Sequence, residues 1–114
     1  MSTLKKDLIL KFSCMPTLPE LANNHLLLVT ATGVISGDII TDSESDTALS
    51  ILAKVSKSIA DDYKNDEGTT DSLDGNDGFI ALKNVTIKSS NCITTLDFLN
   101  VFFDQIIGVS IGKI

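Results

Sequence analysis

Phe79-Ile-Ala-Leu-Lys-Asn-Val-Thr-Ile87, Ser89-Ser-Asn-Cys92, the run Ile93 to Phe103, Asp104-Gln105 and Ile106-Ile-Gly-Val-Ser-Ile111 form the stretch that decides the fold. Val, Ile, Phe and Thr dominate it, and such side chains suit a pleated, half-buried surface. The pattern predicts a strand at 79–88, a turn at 89–91, a strand at about 93–103 and a last strand at 106–111. Asp104-Gln105 marks a tight turn or sharp bend between the last two. Phe98, Leu99, Val101, Phe102, Phe103, Ile106 and Ile107 put apolar groups on both faces of these strands. One small sheet has difficulty burying both faces, so oligomerisation is expected.

Working back toward the N-terminus, residues 65–78 are acidic, Gly-rich and poor in core-forming side chains, which predicts a flexible loop. Before it the period changes. Ala48, Leu52, Val55, Ile59 and Tyr63 recur at three- and four-residue steps, and Leu49, Ile51 and Ala60 widen the stripe. That spacing predicts an amphipathic helix at about 44–64, its stripe turned to the core or to another subunit. Ser43 and Asp46 give it a capping-box-like start. Its polar side carries Ser50, Lys54, Lys57 and Ser58, a weak cationic strip whose simplest reading is a solvated face.

Residues 25–40 read as a hairpin: a strand from His25 to Val29, a turn at Thr30-Ala-Thr-Gly33 and a return strand from Val34 to Ile40. Gly33 is expected to supply a positive φ, and Gly37 a bulge or bend. Residues 1–24 form an arm or short helix, with Leu4, Leu8 and Phe12 at four-residue spacing and Pro16 and Pro19 ending any helix. No repeat or linker divides the chain, so 1–114 is one domain, mainly β with one inserted helix.

Composition narrows the function. The net charge is −6, the pI is about 4.4, and all nine cations are Lys. Without Arg, the usual bidentate recognition of phosphate or guanine is excluded, and an acidic chain is a poor general polyanion binder. Cys14 and Cys92 lie far apart in no metal-ligand spacing and read as reduced thiols of a cytoplasmic protein. Asp7 and Lys11 interrupt the only leader-like segment, and no apolar run approaches the roughly 20 residues of a membrane span.

Catalytic constellations are weak. His25 is the single His, and its place at the start of an apolar strand suits a structural role better than a triad. The segment Asp74-Gly-Asn76-Asp77-Gly78 echoes a calcium loop, but its spacing fails and Glu is missing where the loop needs one. No enzyme activity, cofactor, metal or small-molecule substrate is expected.

Phe79-Ile-Ala-Leu-Lys-Asn-Val85 resembles the third strand of Sm-like proteins, whose first motif ends in an apolar strand closed by a Glu/Lys-Asn-small step. Val101-Phe-Phe-Asp-Gln-Ile-Ile-Gly-Val-Ser-Ile111 is similar to their second motif, and the 25–40 hairpin fits their first two strands. The resemblance implies a strongly bent five-stranded antiparallel barrel, with the helix inserted between strands 2 and 3. It also implies a homo-oligomeric ring joined through edge strands, with RNA as a ligand. The residues it places toward RNA are Asn76, Asp77, Phe79, Asp104 and Gln105, with Phe79 able to stack on a base. The sequence departs from the family at that point: Asp104-Gln105 stands where Arg-Gly or Lys-His usually holds the RNA. The alternative is an oligomeric structural or protein-interaction module without nucleic-acid binding, either Sm-like or a profilin- or roadblock-like scaffold.

Overall fold

The structure, a computed structural model, describes residues 3–41, 44–66 and 78–113, the side chains of 64–66 excepted. Helix α1 spans Leu4–Ser13 and leads through two short 3-10 turns into strand β1, His25–Thr30. Strand β2 is Gly33–Ile39, helix α2 Thr47–Asp66, strand β3 Phe79–Ser89, strand β4 Cys92–Phe102 and strand β5 Ile106–Gly112. All the pairings are antiparallel, in the order β4-β3-β2-β1-β5.

The sheet is not a closed barrel. β4 and β5 are its two edges, with no ladder between them among the described residues. These edges are nevertheless consecutive in the chain, joined only by the 3-10 turn Phe103–Gln105. A flat five-stranded sheet would hold its edges about 19 Å apart, whereas this connection reaches about 14 Å at full stretch. The sheet therefore has to curl.

The curl encloses a core of Leu26 and Leu28 from β1, Ile35 from β2, Ile80, Leu82 and Val85 from β3, Val101 from β4 and Ile106 from β5. Phe103 enters from the turn, and Ile9 of α1 enters from outside the sheet. Strand residues normally alternate between faces, so Leu82 and Val85, three positions apart, should not share one. Asn84 resolves the conflict. Its φ is 52°, and β3 carries one extra residue against β2 there: Ser36 faces Thr86, but Asp38 faces Lys83. This β-bulge resets the phase of the strand.

Several expectations need correction. The large apolar stripe of α2 does not reach the core: Leu52, Val55, Ile59 and Tyr63 are all exposed, Ile59 by 65%. The helix turns Leu49, Ala53, Ser56 and Ala60 inward instead, and Asn100 Nδ2 donates to Ser56 Oγ at 2.9 Å. The helix begins at Thr47 rather than 44 and ends at Asp66. Asp46 Oδ1 accepts from the Leu49 N–H at 3.2 Å, so Asp46 acts as its N-cap, while Ser43 lies outside the described residues.

In α1 the buried side is Lys6, Ile9 and Ser13, while Leu4 and Leu8 are exposed. Gly33 has no positive φ. Its requirement is space, because a Cβ there would lie 2.5 Å from the Lys88 carbonyl oxygen. The bend near Gly37 is present, but the extra residue sits opposite it, on β3.

Two substitutions test this account by urea denaturation. Leu28→Ala removes a fully buried side chain and is expected to cost about 2–5 kcal/mol. Asn84→Val forces a β-branched residue into the left-handed region and is expected to cost about 1–2 kcal/mol, whereas Asn84→Gly should be near neutral.

Candidate functional site

The five residues expected to face RNA do not form one described site. Asn76 and Asp77 lie outside the described residues. Phe79 opens β3 half-buried, its ring edge-on to Phe102 with centroids 6.2 Å apart. Asp104 and Gln105 are exposed in the turn between β4 and β5, where Gln105 Nε2 donates to Asp104 Oδ1 at 3.4 Å. The Phe103 N–H donates to the Gly78 carbonyl at 3.1 Å, which brings this turn beside the start of β3. The two quoted motifs thus meet in space, but the meeting point presents a carboxylate and an amide rather than a cation.

The edges themselves are the larger feature. On β4, Ile93 is 65% and Phe102 57% exposed; on β5, Ile107 is 69% exposed. Ile107 is also the extra residue of a bulge, since Val29 faces Gly108 while Thr30 faces Ile106. Residues 92–97 of β4 are exposed on both faces, although their β3 partners Thr86, Ile87 and Lys88 pair on their other side with β2. An unpaired backbone row flanked by such side chains is a template for another strand.

Beneath α2 lies a cavity of about 400 Å³. Lys54, Lys57 and Asp61 reach it from α2 and Lys6 from α1, with Phe79 and Phe103 forming part of its wall. Lys6 is buried, its ammonium 5.3 Å from the centre of the Phe103 ring, a cation–π arrangement. Lys54 and Lys57, three apart on one helix face, are exposed. The cationic strip seen in the sequence is therefore one wall of a cavity, a fact that only the packing of two helices on one sheet could supply. Ala81 also lines it, and Asn100 faces Ala81 across the β3–β4 ladder. The Asn100 side-chain oxygen is buried without a hydrogen-bond partner.

The chain matches no protein-family model, no curated protein and no solved structure. Geometry alone carries the functional argument.

His25 lies at a second cavity, of about 350 Å³, with its Nδ1 2.8 Å from Asp38 Oδ1. Three hydroxyl residues line that cavity, Ser13, Thr17 and Thr41; Ser13 donates to the Leu10 carbonyl at 2.6 Å and Thr17 to that of Cys14. Among the described residues no cluster of His, Cys, Asp or Glu could hold a metal, and Cys14 and Cys92 are free and exposed. No described helix is long and apolar enough to cross a membrane.

Lys83 Nζ donates to Glu44 Oε1, tying the approach to α2 onto β3. That hydrogen bond, helped by the Asp46 backbone N–H, holds the Glu44 carboxyl below its ordinary value of 4.5. A carboxyl with a lowered folded-state value contributes its stability above the ordinary value and loses it as pH falls through the lower one. The melting-temperature gap between wild type and Lys83→Met should be full at neutral pH and close as pH falls below 4.5. A gap independent of pH would disprove the tether.

Proposed function

We propose that this chain is a non-catalytic, Sm-like subunit that joins copies of itself edge to edge into a ring. The observation that carries the reading is the curled, open sheet, whose edges β4 and β5 both expose apolar side chains. β4 and β5 are different surfaces, so their pairing is heterologous and propagates from copy to copy until the rotation closes. Burying a large apolar side chain gains about 1.5–3 kcal/mol, and Ile93, Phe102 and Ile107 together supply several such increments. The exposed stripe of α2, a helix that packs on β4, adds further apolar area.

RNA is not part of this reading. The turn that should carry a cation presents Asp104, and a carboxylate there repels phosphate.

Light scattering after size exclusion should give one species of about five to seven chains. Ile93→Lys combined with Ile107→Lys should yield a folded monomer, since both side chains already face solvent. A wild-type monomer would sink the reading. So would a two-fold dimer, which uses one patch twice rather than two patches once. Fluorescence polarisation with short U-rich and A-rich RNA should show no binding below about 10 µM at roughly 50 mM salt; tighter binding would restore RNA as a partner.

A further inference from the structure

We propose that the exposed apolar stripe of α2 pairs with the same stripe of a second copy, the two helices running antiparallel around a two-fold axis near Val55. This goes beyond the edge-joining role and does not rest on it, because none of its residues belongs to β4 or β5.

The first argument is the extent of the stripe. Ile51, Leu52, Val55, Ile59 and Tyr63 are 45–65% exposed. With the exposed Ala48 they follow three- and four-residue steps along a helix of 20 residues. A helical face of this breadth ordinarily lies against a core or another helix. The five large side chains leave on the order of 500 Å² open, so two copies would cover roughly 1,000 Å², where specific interfaces begin.

The second argument is shape. Reversing the helix about the middle of the stripe sets Leu52 beside the second copy's Ile59 and Ala48 beside its Tyr63. The smallest side chain of the stripe then meets the largest. The surface is its own complement, as a two-fold contact requires.

The third argument is charge. Asp62 is exposed within the stripe, three residues after Ile59 and seven after Val55. A carboxylate at that position disfavours a wholly apolar partner, because burying it unpaired is costly. Antiparallel pairing lays Asp62 beside the first turn of the second copy's α2, which carries no acidic residue. That end is the positive pole of the helix. Parallel pairing would set Asp62 against itself. An anionic lipid surface is a poor alternative, since interfacial helices carry lysines along their polar face and this chain has a net charge of −6.

A contact of this size is weak on its own, so the test uses a wide concentration range. In sedimentation equilibrium, the Ile93→Lys, Ile107→Lys variant should pass from monomer at about 10 µM to dimer near about 1 mM. The wild type should rise toward twice its low-concentration mass over the same range. Val55→Glu with Ile59→Glu should weaken the pairing by about tenfold or more. Both side chains face solvent, so this variant should keep the wild-type circular dichroism.

Cross-linking checks the direction. In a Cys14→Ser, Cys92→Ser background, Ala48→Cys chains mixed with Tyr63→Cys chains should oxidise to disulfide-linked pairs. Ala48→Cys chains alone should not, because fifteen residues of helix hold their thiols roughly 20 Å apart.

A monomer at every concentration overturns the proposal, as does a dimer that survives the two glutamates or Ala48→Cys chains that link to themselves. Binding of the edge variant to phosphatidylcholine vesicles, abolished by the glutamates, would give the stripe to a lipid surface and overturn it equally. The two proposals fail separately. A wild-type dimer lost with the glutamates but kept with the edge lysines sinks the ring and retains the helix pair, and an assembly of five to seven chains indifferent to the glutamates at about 1 mM does the reverse.

Discussion

A three-residue connection between opposite edges of one sheet governs this molecule. β4 and β5 are separated by three intervening strands in the ladder, yet only Phe103–Gln105 lie between them in the chain. Curling is the only way to meet both conditions, and a curled sheet has an inside. Phe103 turns into that inside and is buried, while its N–H holds the Gly78 carbonyl at the start of β3. Lys6 of α1 then lies over the same ring. The turn, the sheet's curvature and the docking of α1 are thus one packing arrangement rather than three.

The strand boundaries were largely legible in the sequence, because β-branched and aromatic runs separated by polar turns have few other readings. The phase of β3 was not. Ile80, Leu82 and Val85 cannot share a face in a regular strand, and nothing local marks Asn84 as left-handed, though Asn tolerates that region better than most residues. The helix was legible by period, but its orientation was not. Periodicity finds an apolar face without saying what covers it. Here the smaller side, with Ala53, Ser56 and Ala60, lies against the sheet because small side chains allow a close approach, and Asn100 supplies a polar contact.

The candidate site was legible only in fragments. Phe79 stands out in the sequence as an aromatic able to stack on a base, and in the fold it lines a cavity. Lys54 and Lys57 stood out as a cationic strip, but Lys6 lies nearly fifty residues away in the chain, and no spacing links it to them. Net charge misled in the same way. An average of −6 over the chain says nothing about where nine lysines gather once two helices meet over one sheet.

The two helices are carried by different parts of that sheet. α1 packs against β5, whereas α2 is fastened to the β3–β4 hairpin through Lys83 and Asn100. The cavity between them therefore spans the seam of the curl. The curvature of the sheet therefore sets how far apart the two helices stand, and with it the width of the cavity that Lys6, Lys54 and Lys57 line.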